Sequence, residues 1–256
     1  MNQIDINSDV GESFGRYNLG FDEEIIKRVT SINVACGFHA GDPCVMEKTV
    51  ALAARYGVAV GAHPGFPDMM GFGRRAMTLS SEEIKSYVKY QVGALHAFTV
   101  SHGIKLNHVK AHGALYNMSA VDYTVARAVA DAVREVDDGL IFLALANSEM
   151  TKAGRDAGLT VANEVFADRA YNKDGTLVDR SKAGAMITDI EQCAKRIVGI
   201  ISEGKVKAIS GEDVYLQAHS VCVHGDTPEA VAFVDGIIKA LSDRKIKPTA
   251  LANMSF

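Results

Sequence analysis

The sequence predicts one α/β domain, a single (β/α) barrel spanning residues 1–256, and three observations carry that reading. Apolar runs of strand length alternate from end to end with longer runs of helical periodicity, the pattern of parallel βαβ units. Most of those apolar runs end in an ionisable residue with Gly close by. About seven such units fill 256 residues, and a typical eight-fold barrel takes about 250. A doubly wound open sheet is the alternative arrangement of the same units. No linker, low-complexity stretch or short repeat divides the chain.

The first strand is Ile4–Glu12, whose period-two alternation puts Asp5, Asn7 and Asp9 on one face. A helical stretch over Asp22–Val29 leads to strand two, Ser31–His39. Asp42 is an N-cap and Pro43 a good first helical residue for a helix that runs to Tyr56 and stops at Gly57. Strand three is Val58–His63, and the Gly/Pro-rich loop from there to Arg75 is too long for a bare connector. Ser80 and Glu83 form a capping box for a long helix with Ile84, Val88, Val92 and Leu95 on its apolar face.

Strand four opens the stretch Leu106–Asn117 and ends in a glycine turn. His108, Lys110 and His112 share one side of it, and Asn107, Val109 and Ala111 the other. Three basic groups on one face are costly in a plain core, so that face is expected to meet a polar pocket lined by acids. A helix over Tyr123–Val136 follows, then strand five at Leu140–Leu145, a short helix capped by Ser148 and ending near Gly158, and strand six at Thr160–Phe166.

Beyond the loop Asp168–Met186, with turn signals at Asp174-Gly175 and Gly184, Thr188 and Glu191 make a second capping box. That helix ends near Gly204. A short hairpin about Gly211 occupies Lys205–Ala218, Ser220–His224 is strand seven, and Thr227-Pro228 opens a last helix through Leu241. The tail to Phe256 carries no assignment.

A formal charge of −4 without a basic stripe, 7% aromatic residues and no Trp argue against nucleic acid as a partner. The four cysteines form no CxxC pair, against a zinc ribbon or a disulfide framework. The first residues lack a charged and apolar leader pattern and no segment reaches membrane-spanning length, so the expectation is a cytoplasmic protein with no membrane partner. Gly199–Lys205 imitates a phosphate loop, but Val206 stands where a Ser or Thr is needed and the match closes a helix instead of opening one.

Barrel enzymes work at the C-terminal ends of their strands. Here those ends carry Asp9 and Glu12, His39, His63, Lys110 and His112, Glu164, and His224 with Asp226. Each histidine taken singly reads first as a hydrogen-bonded core or cap residue; the combination points to an active site. Asp9 with Glu12 suits a general base, a metal ligand or a salt-bridged strand end. Asp9, His39 and His63 are ligand types for a divalent metal, although they lie on separate strands. Lys110 beside His112 suits either an anionic carboxylate or phosphate, or a structural ion pair with one of the acids. The loop Gly71-Phe72-Gly73-Arg74-Arg75 suits an anion clamp or a solvated basic surface. Cys36 reads as a small buried thiol.

Six segments together resemble one known family. They are Asn7-Ser8-Asp9-Val10-Gly11-Glu12, Ile32 to Pro43, Gly61-Ala62-His63-Pro64-Gly65-Phe66-Pro67-Asp68, Gly71 to Arg75, His112-Gly113-Ala114-Leu115-Tyr116-Asn117, and Cys222-Val223-His224-Gly225-Asp226. In this order, from about Asp5 to Asp226, they look like the LamB/YcsF family. Two positions depart from its usual pattern: Ala111 where the family usually has Pro, and Ser8 where it often has Cys. Neither departure removes an ionisable group.

The resemblance implies a seven-stranded (β/α) barrel akin to glycoside hydrolase and deacetylase barrels. It also implies ATP-dependent opening of the 5-oxo-L-proline lactam to L-glutamate, with ATP as co-substrate and in a complex with subunits B and C. On that reading Asp9 or Glu12, with His39 or His63, deprotonates the attacking water. His112 or His224, oriented by Asp226, protonates the leaving nitrogen or steadies the tetrahedral oxygen. Lys110, Arg74 and Arg75 hold anionic groups, and Asn7, Tyr116, Asn117 and Glu164 complete substrate binding. Two alternatives stand beside it: a stand-alone metal-dependent amide or sugar deacetylase-like hydrolase using Asp9, His39 and His63, and a non-catalytic binding or regulatory subunit.

Overall fold

Seven parallel strands close into a barrel in the computed structural model, which describes residues 3–223 and 230–256. They are β1 (Gln3–Val10), β2 (Ser31–Ala35), β3 (Ala59–His63), β4 (Leu106–Val109), β5 (Ile141–Leu145), β6 (Thr160–Phe166) and β9 (Ser220–Cys222). Each pairs with the next, and β9 closes the ring on β1 through Asp5↔Ser220, Ile6↔Val221 and Asn7↔Cys222. Strands covered on both sides read as continuous apolar runs, as Ile141-Phe142-Leu143-Ala144-Leu145 does, every residue buried.

Between β6 and β9 the chain forms an antiparallel hairpin outside the barrel, β7 (Lys205–Lys207) with β8 (Asp213–Tyr215). A two-residue strand, β10 (Lys247–Pro248), pairs with the start of β1. The helices are α1 (Asp22–Ile26), α2 (Pro43–Tyr56), α3 (Ser81–Ser101), α4 (Gly113–Val121), α5 (Tyr123–Val136), α6 (Glu149–Asp156), α7 (Ile190–Glu203) and α8 (Ala230–Asp243).

Local chemistry accounts for most boundaries. Asp42 accepts from Cys44 N and Val45 N with Pro43 beginning α2, and Gly57 ends it in the left-handed region at φ 68°. The Ser80–Glu83 box caps α3 in both directions. Ser148 accepts from Met150 N ahead of α6, and Gly204, inside the false phosphate loop, is the left-handed end of α7.

Four sequence expectations are corrected. The helix α4 was not foreseen, because His112 at its N-cap makes no side-chain cap bond and no capping residue marks its start. The box expected from Thr188 and Glu191 gives way to Asp189, which accepts from Gln192 N 2.7 Å away. Strand seven ends at Cys222, and the tail supplies β10 and a short 3-10 turn, Leu251–Asn253. His224, Asp226, Thr227 and Pro228 lie outside the described residues.

The barrel interior is graded in polarity. At the N-terminal end of the strands, the Asp5 carboxylate accepts from the hydroxyls of Thr30, Ser31 and Ser220. One layer up, Asn33 Nδ2 donates to Asn7 Oδ1 at 2.7 Å and His108 Nε2 lies 2.8 Å from Asn33 Oδ1. The His108 ring occupies the space that Gly61 leaves, since a Cβ built there would run into it. Substituting Ala at Gly61 is therefore expected to cost about 1–3 kcal/mol of unfolding free energy, read from urea denaturation.

Burial, only partly offset by the three hydroxyl donors, pushes the Asp5 carboxyl up to about 6 from its usual 3.8. Below about pH 4 this group is protonated in both the folded and the unfolded chain and carries no penalty. As pH rises through the interval from about 4 to about 6, the unfolded chain ionises first, and Asp5 then destabilises the fold by up to about 3 kcal/mol. Thermal unfolding across pH 4–7 is expected to show this component in the parent and to lose it in Asp5→Asn.

Candidate active site

The top layer of the barrel is ionic. Lys110, the first residue after β4, is buried and sends its ammonium across the barrel axis. Its Nζ lies 2.8 Å from Glu164 Oε1 on β6, 3.0 Å from Asp9 Oδ1 on β1, 3.2 Å from Asn7 Oδ1 and 3.2 Å from Cys222 Sγ on β9. Burial alone would lower the lysine's proton affinity; the carboxylate charges of Asp9 and Glu164 reverse that and raise it well above the usual value. Four acceptors surround three N–H donors, so Lys110 acts as an internal counter-ion. Of the two readings open from sequence, an anion holder or a structural ion pair with one of the acids, these contacts are those of the ion pair.

Its neighbours are fixed in turn. Asn7 Nδ2 donates to Glu164 Oε1 at 3.0 Å and to Ser220 Oγ at 2.7 Å, and Asn33 Nδ2 donates to Asp9 Oδ1 at 2.7 Å. Tyr116 on α4 donates its hydroxyl to Glu164 Oε2 at 2.7 Å. Burial, then the adjacent Glu164 charge, keeps the Tyr116 phenol protonated far above its usual range. Asn7 and Glu164 thus sit beneath the site floor and organise it from below.

Above this layer three imidazoles gather. His63, the last residue of β3, places Nδ1 2.8 Å from the Lys110 carbonyl and Nε2 3.3 Å from Asp9 Oδ2. His112 Nδ1 lies 3.0 Å from His63 Nε2, and its Nε2 lies 2.8 Å from the Phe72 carbonyl. His39 stacks on His112 with centroids 3.7 Å apart and planes 5° from parallel. Among the described residues neither His39 nitrogen has a hydrogen-bond partner, although the residue is fully buried. Burial pushes the His112 imidazole down to about 3, and with its histidine neighbours drives His39 well below the usual value.

The donor atoms of Glu12, His39, His63 and His112 all lie within 4.8 Å of one another, a cluster of types able to hold a metal. Asp9 is not one of the four; the cluster keeps His39 and His63 of the ligand types expected from sequence and adds Glu12 and His112.

A cavity of about 520 Å³ opens over these groups, with Asp9, Glu12, His63, Lys110 and His112 on its floor. Arg74 stands at its wall with the guanidinium 4.9 Å over the Phe72 ring, and Tyr116 and Asn117 line the α4 side. Arg75 is not brought in: it turns back to Asp68, Nε to Oδ1 at 2.9 Å, and holds that carboxyl down to about 2. His224 and Asp226 fall outside the described residues, so their placement adds nothing to this geometry.

Sequence reasoning missed Asn33, Ser220 and Cys222, whose signal was a polar or thiol side chain at period-two spacing inside an apolar strand. It also missed Arg169 and Arg180, which line the cavity from the loop after β6. Cys36 is the inert buried thiol expected, its pKa pushed up to about 12 by burial. Replacing Lys110 by Met strands two carboxylates around a buried gap and is expected to destabilise the fold by about 3–5 kcal/mol in denaturant titrations. Adding Glu164→Gln to that variant is expected to recover part of the loss.

The family model described as the LamB/YcsF family matches residues 4–256. The A subunit of a 5-oxoprolinase from Alkaliphilus metalliredigens is 58% identical over 247 residues, 96% of each chain. The crystal structure of a lactam utilization protein from Thermus thermophilus is 44% identical, covers 97% of this chain and 100% of its own, and superposes with a TM-score of 0.92. The catalytic domain of a peptidoglycan N-acetylglucosamine deacetylase from Eubacterium rectale shares the fold at a TM-score of 0.52 and 13% identity, covering 100% of this chain and 90% of its own. Among the described residues no helix is long and apolar enough to cross a membrane.

Proposed function

The chain belongs to the LamB/YcsF family, and from that premise we propose that it is the A subunit of an ATP-dependent 5-oxoprolinase, a cytoplasmic hydrolase that opens 5-oxo-L-proline to L-glutamate together with subunits B and C. The observation that carries this reading is 58% identity to the A subunit of a 5-oxoprolinase over 96% of both chains. The acid- and imidazole-lined cavity supports it, because a small polar lactam needs a positioned base and a proton donor.

A lactam amide is resonance-stabilised, so its carbonyl is a poor electrophile. Phosphorylation of the carbonyl oxygen by ATP, with the partner subunits, removes that resonance. Water then attacks the carbonyl carbon, the C–N bond breaks, and the ring nitrogen takes a proton to become the α-amine of glutamate; the phosphate is lost to a second water. Asp9 or Glu12 takes the proton of the attacking water, with His63 3.3 Å from Asp9 Oδ2. His112 or His224 returns a proton to the nitrogen. Arg74 meets an anionic group of the substrate at the cavity wall.

The test is glutamate release from 5-oxoproline plus ATP, by this protein alone and then with subunits B and C. Turnover in the full mixture is expected, and Asp9→Asn and His112→Ala should each lower it at least about a hundredfold in a folded barrel. Unchanged turnover in both variants would remove the site assignment. The cluster of Glu12, His39, His63 and His112 supports a second reading, a stand-alone metal-dependent amide or sugar deacetylase-like hydrolase. Hydrolysis without ATP or partners would favour it.

A further inference from the structure

Two ring nitrogens at the barrel mouth face each other without a proton assigned between them. The Lys110 and Phe72 carbonyls, each 2.8 Å from a ring nitrogen, can only accept, so His63 Nδ1 and His112 Nε2 each carry a proton. The remaining nitrogens, His63 Nε2 and His112 Nδ1, then present lone pairs 3.0 Å apart. Two lone pairs at that distance repel unless an electrophile lies between or beside them. Pinning the far nitrogen of an imidazole on a backbone carbonyl is the usual outer support of a metal-bound histidine.

We propose that this cluster binds one divalent cation of the zinc, cobalt and nickel class through His63 Nε2, His112 Nδ1 and the Glu12 carboxylate, with His39 completing the set. Independent support comes from His39, fully buried, with neither nitrogen hydrogen-bonded among the described residues and a donor atom within 4.8 Å of the other three. A lone polar ring in that position lacks the partner that burial normally demands. His39 lies parallel to His112, so its ring must turn to aim a lone pair at the same ion. Gly65 and Gly73 pack closely against His39, and a Cβ at either would come within 2.7 Å of it, so both positions must stay side-chain-free for His39 to sit in the cluster.

The ligand types decide the class of ion. Three imidazoles and one carboxylate suit borderline transition ions, whereas magnesium and calcium prefer shells of oxygen. The negative charges of Glu12 and Asp9 offset the ion, and Asp9 Oδ2, 3.3 Å from His63 Nε2, faces the same space.

The site stands on these side chains whether or not the protein is an oxoprolinase, and the experiment needs no turnover. The full chain is purified without chelator for elemental analysis, then stripped and titrated with Co²⁺ while visible absorption and heat are recorded. About one equivalent is expected, with the d–d bands of a low-coordinate nitrogen-rich site. Glu12→Gln, on a half-exposed residue that leaves the core intact, should weaken binding at least about tenfold. His112→Ala, checked for fold by circular dichroism, should abolish the bands. Metal-free protein with no Co²⁺ bands up to millimolar ion overturns the proposal and assigns the two facing nitrogens a shared proton. Equal binding in parent and both variants also overturns it, marking an adventitious ion only.

Discussion

A buried ammonium must be surrounded by acceptors, and the architecture of this barrel follows from how Lys110 satisfies that demand. Its partners come from β1, β6 and β9, so one side chain ties together strands that neighbour each other around the ring and lie far apart in the chain. The backbone of the same residue reaches outward in the other direction. Lys110 N donates to Ala62 O and Lys110 O accepts from His63 Nδ1, which fixes the ring orientation and tautomer of the histidine. One residue therefore sets both the position of the Asp9 carboxylate and the direction of the His63 lone pair.

Beneath that ion pair the polarity of the interior changes layer by layer. Hydroxyls solvate Asp5 at the bottom, amides and His108 fill the middle, and charges meet solvent at the top. Many barrels of this kind fill their interior with branched aliphatic residues. The polar filling here trades that packing for a continuous set of hydrogen bonds from Asp5 through Ser220, Asn7 and Asn33 to Asp9. Networks of this sort specify a unique arrangement when fully satisfied, and they make each member intolerant of loss.

The barrel was legible in the sequence because each strand is a short apolar run with helices between, and because the caps at Asp42, Ser80 and Ser148 are local signals. The acids and histidines at the strand ends were legible for the same reason: an ionisable residue closing an apolar run is conspicuous. The α4 helix was not, since Gly113 begins it without a cap and Asp122 both ends it and caps α5. The partners of Lys110 were not, because contacts across 101 and 112 residues leave no periodic trace. Nor were the carbonyls of Lys110 and Phe72, because a backbone oxygen has no letter. Arg75 misled for a related reason: its partner Asp68 is also the residue that caps the turn at Gly71, a pairing that spacing alone does not distinguish from an anion clamp.

The closure of β9 on β1 has a kinetic meaning. The seam joins residues 5–7 to residues 220–222, so it is among the longest-range pairings the chain makes, and such contacts form late because loop closure must come before them. Ser220 and Cys222 arrive with that last strand and supply the final acceptors for Asn7 and Lys110. Closure of the ring and completion of the shell around Lys110 are consequently tied to one strand pairing.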